Sequence, residues 1–530
     1  MMLPVEFGEP SHLSPRPALP NDRRTSNRGS TPFGSLTVDA HSGFIDELTP
    51  LFRSLPLHRT PCFAFAAQPS GDSPRSPPAQ IAPAQAAREA GLVTPTVDPP
   101  TVAEASNYEA TSTSDEVAAF LAKLDGRSPR VTFSSIGMTN EERPLLAATF
   151  RSGATEASDR IEALRVLVIA NIHSGECDGK EAMLAMIRDL AGDPQHRWNL
   201  RPLELVVVPN YNADGNDRRG AEHRPGQIGP DVMGIRENAQ QLDLNRDFMK
   251  LEAPETRALV AFADSFRPHV FIDCHTTNGS QHGYVLTYDV PHHPAAPAAV
   301  RGLLRDVVLP EVTNDLESRS MRTFYYGNFD RQRTRWTTYG YEPRYSTEYF
   351  GQRGVLAILS ESYSYATYRD RIDATRAFVE SCIDRCLERR DEVIAAVATA
   401  PIAASEALPL RAEMAKFDEP VTVIGRDDAG ADAPVSVEFW GDYRPTESAS
   451  VPSAYVLPAE ASRAAERLHA HGIDVARLPT AVEADATMWT LRETTRDGSF
   501  QGHQRNELTV DETIERRTLP AGSFVVRTDQ

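Results

Sequence analysis

Across 530 residues, 74 Asp and Glu stand against 55 Lys and Arg, leaving a formal charge of −19. Nucleic acid and anionic membrane both call for a positive surface, so this balance argues against either partner, and no apolar run approaches the ~20 residues that span a bilayer. Five scattered cysteines are too few for a disulfide framework, which leaves the fold to core burial.

Residues 1–105 hold 17 of the 40 prolines. A segment so rich in Pro, Ser, Ala and Gln buries too little apolar surface to offset its ordering entropy, so a disordered extension is expected there. Inside it, R59-T-P-C-F-A-F-A-A-Q has a basic residue, a short apolar core and small residues, a faint likeness to a signal-peptide cleavage region. S114-D-E-V-A-A-F-L-A-K-L predicts an amphipathic helix capped by Ser114 or Asp115, with Val117, Phe120, Leu121 and Leu124 on one face. Strands are expected around 130–137 and 144–150. Apolar strands then alternate with helices: strands at 166–170, 203–208, 269–272 and 355–359, helices at 181–190, 255–265 and 370–398. Such runs are buried on both faces, which predicts an α/β unit over 106–400 with a mixed, mostly parallel sheet covered by helices. Beyond it, strands near 421, 435, 454 and 523 and a helix from 458 predict a small β-rich accessory domain over 405–530. His469, His471 and His503 lie there without ligand spacing and read as solvated surface residues.

The chemistry sits at strand ends. The run 166–170 passes into I172-H-S-G-E-C-D-G, where His173 and Glu176 are spaced to converge on one small cation, and Zn²⁺ takes that mixture of ligands. A third ligand is expected at His275, which ends the run V270-F-I; His282 lies past the Gly279 turn and His269 starts its strand at the wrong end. Three protein ligands leave a position open for water, the pattern of a catalytic site. No His-Glu-x-x-His motif is present, so the helix-borne metalloprotease design is excluded. In L242-D-L-N-R-D-F, Asn245 and Arg246 set an amide beside a guanidinium suited to gripping a carboxylate. Glu361 ends V355-L-A-I-L-S-E, and a carboxylate free of ligand duty there is a natural base for water. Open α/β sheets bind ligands beyond their strand ends, which fits all three positions. Cys177 and Cys274 neighbour proposed ligands but read as structural thiols; in a strand Cys274 points opposite to His275. Cys382 and Cys386, four apart on a helix, read as buried small groups.

The order His-x-x-Glu, Asn-Arg, His, strand-end Glu resembles the zinc carboxypeptidase family of metallopeptidases over residues 114–398. D-L-N-R-D-F-M-K-L-E-A-P-E and L-S-E-S-Y-S-Y-A-T-Y-R-D-R look like a bacterial branch of it. The resemblance implies a zinc-dependent carboxypeptidase with one Zn²⁺, acting on a peptide with a free C-terminal carboxylate through zinc-activated water and Glu361 as general base. It also implies that Asp243 orients His173, whereas Asp273 reads as a local salt-bridge partner. An arginine polarising the scissile carbonyl is implied upstream of Asn245; Arg224 and Arg236 are both placed for it, and G234-I-R-E-N-A-Q favours Arg236. A tyrosine closing over the substrate is implied as well. Tyr339, Tyr341, Tyr345 and Tyr349 all qualify by position, with Tyr349 standing for the group, and Arg344 is the further expected contact to a substrate carboxylate. Export of many bacterial members favours an extracytoplasmic location. Two other functions keep this pattern in view: a deacylase of N-acyl amino acids, and a non-catalytic binding protein, which would have no need of a base at Glu361.

Overall fold

The computed structural model describes residues 36–38, 98–153, 162–398, 407–427 and 429–529. One eight-stranded sheet carries the site. Its strands are β1 (Val131–Met138), β2 (Pro144–Arg151), β3 (Leu164–Ala170), β4 (Leu203–Val208), β5 (Val270–Thr277), β6 (Leu286–Asp289), β7 (Thr323–Tyr325) and β8 (Leu356–Tyr363). They lie side by side as β1-β2-β4-β3-β5-β8-β6-β7. The central four, β4, β3, β5 and β8, run parallel, while β1, β2 and the β6 edge of β8 pair antiparallel. A parallel centre needs cover on both faces, and the aliphatic runs supply apolar side chains to both.

Helices provide the cover, among them α1 (Ser114–Leu124), α2 (Asp178–Gly192), α3 (Pro254–Phe266), α4 (Ser346–Gln352) and α5 (Tyr368–Glu388). On one face, Val166, Val168, Ile272 and Cys274 pack with residues of α1, α2 and α5. On the other, Leu167, Ile169 and Phe271 pack with residues of α3 and α4. The strand alternation therefore puts Cys274 in one core and turns Asp273 and His275 towards the opposite face. The α1 cap is Thr113, one residue earlier than expected, in a reciprocal capping box with Glu116. The helix expected over 370–398 is broken at Arg389, where α5 gives way to Arg390–Val397.

The C-terminal stretch contributes to more than one sheet. Val421–Arg426 and Asp432–Trp440 join Asn328–Phe329 and Arg335–Thr337 of the α/β unit, and together they bury Tyr284, Trp336, Val423, Val437 and Phe439. A second, six-stranded sheet is built from Ala454–Leu457, Ala476–Arg477, Phe524–Arg527, the long hairpin Val482–Phe500 with His503–Leu519, and Leu36–Val38. Residues 98–105 include the helical turn Val102–Ala105, whose Glu104 pairs with Arg188. The Arg59–Gln68 patch lies outside the described residues. Among those described, no helix is long and apolar enough to cross a membrane.

One of the three C-terminal histidines differs from expectation, while His469 and His503 are exposed as expected. His471 is buried: its Nε2–H donates to Met249 O at 3.3 Å and its Nδ1 accepts from Tyr349 O–H at 2.9 Å. His503 sits 2.8 Å from Glu252. His471 was read as a surface residue because its partners, Met249 and Tyr349, come from a distant part of the chain.

Candidate active site

Where β3 ends, Asn171 takes a φ of 65°, a left-handed conformation that Asn tolerates better than most residues. Its side-chain amide is anchored on Asn210 Oδ1 at 2.7 Å. The chain then closes a tight turn in which Glu176 N–H donates to His173 O at 2.9 Å. Gly175 is required within it: an added Cβ would lie 2.6 Å from Arg224 Cγ and 3.1 Å from Gly234 O. This turn sets His173 and Glu176 side by side. The neighbouring β5 delivers His275, and β8 places Glu361 in register directly across from it.

Each histidine is fixed from behind by a carboxylate. His173 Nε2–H donates to Asp243 Oδ1 at 3.1 Å, and His275 Nε2–H donates to Asp273 Oδ2 at 3.0 Å. Asp273 thus does for His275 what Asp243 does for His173, an orienting role the sequence reading gave to Asp243 alone. With the Nε2 atoms protonated, both Nδ1 atoms present lone pairs, and they face each other at 3.2 Å. Glu176 closes the triangle, with Oε2 at 3.0 Å from His275 Nδ1 and Oε1 at 3.2 Å from His173 Nδ1. Two imidazole nitrogens and a carboxylate converging in a buried space, with Arg236 Nη1 3.2 Å from His173 Nδ1, make a place that a small cation can occupy. Ligands ~2.0–2.1 Å from a tetrahedral Zn²⁺ stand about 3.3 Å apart, close to the separations observed. His173, Glu176 and His275 therefore fit the metal, and they form a group able to hold one.

The local electrostatics agree. Burial favours the neutral form of Glu176, but His173 and Arg224 outweigh it and hold the carboxyl well below its usual range; Arg224 Nη1 donates to Glu176 Oε1 at 2.8 Å. Burial is likewise outweighed at Asp243, by His173 and Arg236. Burial disfavours a charged His275, yet Asp273 and Glu176 lift its pKa well above 6.5. Glu361 is pushed up to about 8, chiefly by burial, with Glu176 adding to the shift. A buried glutamate beside the ligand set is placed to move a proton.

A cavity of about 190 Å³ gathers His173, Glu176, His275, Glu361, Arg236, Asn245 and Arg246 on one wall system. Arg236 stands 3.5 Å from Glu176 Oε1 and donates to Asp243 Oδ2 at 2.9 Å. Arg224 supports the ligand Glu176 and donates to Thr276 O at 2.7 Å, outside the cavity lining. Asn245 Oδ1 accepts from Ser346 N–H at 2.8 Å. Arg246 lies over the Tyr345 ring, its Cζ 4.3 Å from the centroid.

Two expected substrate contacts are placed elsewhere. Tyr349 lines a different cavity of about 440 Å³ with Asp264, His269 and Arg353, because α4 turns its ring into the core against Phe248 and Phe350. Arg344 is held by Glu342 and the Tyr345 hydroxyl, each at 3.3 Å, and does not line the site cavity. Of the four tyrosines, Tyr339 and Tyr345 line it, while Tyr341 packs against His293 and Tyr443. Tyr326 also lines it and was not anticipated; no local motif marks it. His282 packs against Tyr363 and Trp336, with a pKa lowered to about 3 by burial, and so belongs to a core.

A buried two-histidine, one-carboxylate set with a spare glutamate beside it is the donor arrangement of a zinc-dependent hydrolase. Residues 117–330 match the zinc carboxypeptidase family, a span that includes every proposed ligand and ends before Glu361. The chain is 21% identical to carboxypeptidase 2 of Trichophyton rubrum over 451 residues, covering 78% of each chain. It is 32% identical to human carboxypeptidase Z over 122 residues, covering 22% of this chain and 18% of that protein. A solved metallo-carboxypeptidase from Pseudomonas aeruginosa superposes with a TM-score of 0.40 at 17% identity, covering 53% of this chain and 69% of the other. The match of residues 117–330 to that family, with the likeness to these carboxypeptidases, marks the chain as a zinc metallopeptidase.

Proposed function

We propose that this protein is a carboxypeptidase that releases the C-terminal residue of peptides bearing a free terminal carboxylate. The observation that carries the reading is the convergence, in one cavity, of the ligand triad, Glu361, Arg236 and the Asn245-Arg246 pair. His173, Glu176 and His275 would hold one Zn²⁺, which when bound supplies Lewis acidity and makes water ionisable near neutral pH. Glu361 takes a proton from the attacking water and passes it to the nitrogen of the leaving residue as the C–N bond breaks. The products are a shortened peptide carboxylate and a free amino acid. Arg236, anchored by Asp243, faces the oxygen on which negative charge develops. Asn245 and the fork of Arg246 hold the substrate's terminal carboxylate, and Tyr345 packs beneath that guanidinium. The catalytic unit is taken as 106–400, with 405–530 as accessory structure and 1–105 as an extension.

The test compares free-acid and C-terminally amidated forms of one peptide, read by mass spectrometry of the products. Losing a charge-assisted contact to a partly buried arginine costs ~2–5 kcal/mol, so amidation lowers kcat/KM by roughly 30-fold or more. Equal rates on the two forms would remove the carboxypeptidase reading. Preference for small N-acyl amino acids, with poor cleavage of peptides of four or more residues, would point to a deacylase.

A further inference from the structure

The hairpin of Val482–Phe500 and His503–Leu519 is exposed along most of its length, yet its tip is seated on the α/β unit. Phe500 is half-buried between two cations, with Lys250 Nζ 5.8 Å and Arg344 Cζ 5.5 Å from its ring centroid. Three residues on, His503 pairs with Glu252 at 2.8 Å. These partners belong to two short segments. Lys250 and Glu252 lie on 247–253, which leaves directly from Asn245-Arg246; Arg344 directly precedes Tyr345, the ring under Arg246. The two segments are already joined, since Ser346 N–H donates to Asn245 Oδ1. Cation and ring therefore alternate from the cavity to the tip: Arg246 on Tyr345 at 4.3 Å, Arg344 on Tyr345 at 5.1 Å, Arg344 on Phe500. His471 adds a second clasp on the same two segments, through Met249 O and the Tyr349 hydroxyl.

We propose that the C-terminal hairpin tip, through Phe500 and His503, is a positioning element that sets the Asn245-Arg246 side of the cleft for a substrate's terminal carboxylate. The proposal rests on the reading of Arg246 as the carboxylate holder. Arg246 donates one bond to its own neighbour, from Nη1 to Asn245 O at 2.8 Å, so its aim depends on the ring beneath it and on the segment it starts. The tip reaches the segment through Lys250 and Glu252, and the ring through Arg344. The clasp falls on the binding side, whereas the metal ligands are fixed by Asp243, Asp273 and the strand register. Loss of the tip is therefore felt as weaker substrate capture with unaltered chemistry.

The experiment uses the full zinc-loaded chain with Phe500→Ala, His503→Ala and the conservative Phe500→Tyr, assayed on a free-acid peptide and its C-terminal amide. Phe500→Ala and His503→Ala raise KM for the free acid by roughly 3- to 10-fold, keep kcat within about twofold, and narrow the preference for acid over amide by the same factor as KM. Zinc content stays unchanged, and Phe500→Tyr restores KM. Unchanged KM and unchanged acid preference in both alanine variants would overturn the proposal, and so would a fall of kcat in step with zinc content. If the unaltered protein already treats acid and amide alike, the reading of Arg246 fails first, and that result is recognisable before any substitution is made.

Discussion

Glu176 and Asp178 lie two residues apart, both buried, and their surroundings differ in kind. Asp178 is closed by its own chain: it accepts from Thr276 Oγ1 at 2.5 Å, Ser362 Oγ at 2.6 Å and Arg371 Nε at 3.2 Å. Arg371 in turn spends its remaining donors on the carbonyls of Ile228, Gly229, Ser364 and Ala366. Glu176 also has donors, Arg224 and the Thr276 N–H, but its free side faces two imidazole lone pairs. Thr276 touches both carboxylates, its N–H on one and its hydroxyl on the other. A buried charge that the chain neutralises by itself braces structure, whereas one surrounded by further donors of electrons is waiting for a cation. Asp178 ties the ends of β5 and β8 to α5, and Glu176 uses that brace to hold a reactive centre.

The comparison breaks most visibly in activity. Glu361→Gln keeps the shape of the side chain without its basicity, so turnover falls by roughly 10²–10⁴-fold while bound zinc is retained. His275→Ala removes a ligand, and zinc content and activity fall together. Metal analysis alongside steady-state rates separates the two. Were Glu361→Gln to lose zinc in proportion to activity, Glu361 would be a ligand and the cation would not belong to Glu176's side alone.

The structural carboxylate responds differently. Arg371→Met leaves Asp178 uncompensated in the core, which costs ~3–5 kcal/mol of stability and lowers the melting temperature by about 10 °C in a domain of this size. Adding Asp178→Asn recovers much of that loss, since the stranded charge goes with it. Thermal unfolding of the single and double variants measures this directly. A single variant that melts like the unaltered protein would mean that the pair is not what braces these strands.

Much of the front of the site was legible in the sequence, because strand-end residues stay near their strands. His173, Glu176, His275 and Glu361 each follow an aliphatic run, and adjacent strands bring such residues together at the same edge. The role of Asp273 was within reach: two residues from His275 on one strand, it shares that residue's face. Tyr349 was misplaced because position before Glu361 does not fix which way a helical side chain turns. Tyr326 and the Phe500 tip left no signal, since each reaches the site region through contacts far apart in sequence. The long hairpins were missed for a related reason: exposed on both faces, they lack the alternation that marks a half-buried strand. The strands of 421–440, though recognised, could not be assigned to the α/β sheet system, because the partners Asn328–Phe329 and Arg335–Thr337 are too short to register as strands.

The smallest expected effect sharpens the contrast, and it concerns what stands in for the metal when none is bound. In chelated protein the cation at the front is a proton. His275 is held above 6.5 because Asp273 and Glu176 outweigh burial, and burial lifts Glu361 to about 8. Both folded values lie above the unfolded ones. Each group therefore contributes stability that is complete below its unfolded pKa, near 4.5 for Glu361 and 6.5 for His275, and that fades as pH rises through the folded value. Glu176 and Asp243 are shifted downward, so their contributions are lost only in acid, outside this window. Metal-free protein should thus lose melting temperature as pH rises from about 5 through about 8. With zinc loaded, the ion takes the place of the proton, His275 is neutral as a ligand must be, and the positive charge draws Glu361 down, so the slope flattens. These groups share one pool of charge, which limits the net effect to ~1 kcal/mol, or a few degrees. Differential scanning calorimetry with chelator and with zinc, at three pH values across the window, reads the difference. Parallel curves would show that the two lone pairs and Glu176 do not depend on an exchangeable cation, and Glu176 would then be as self-contained as Asp178.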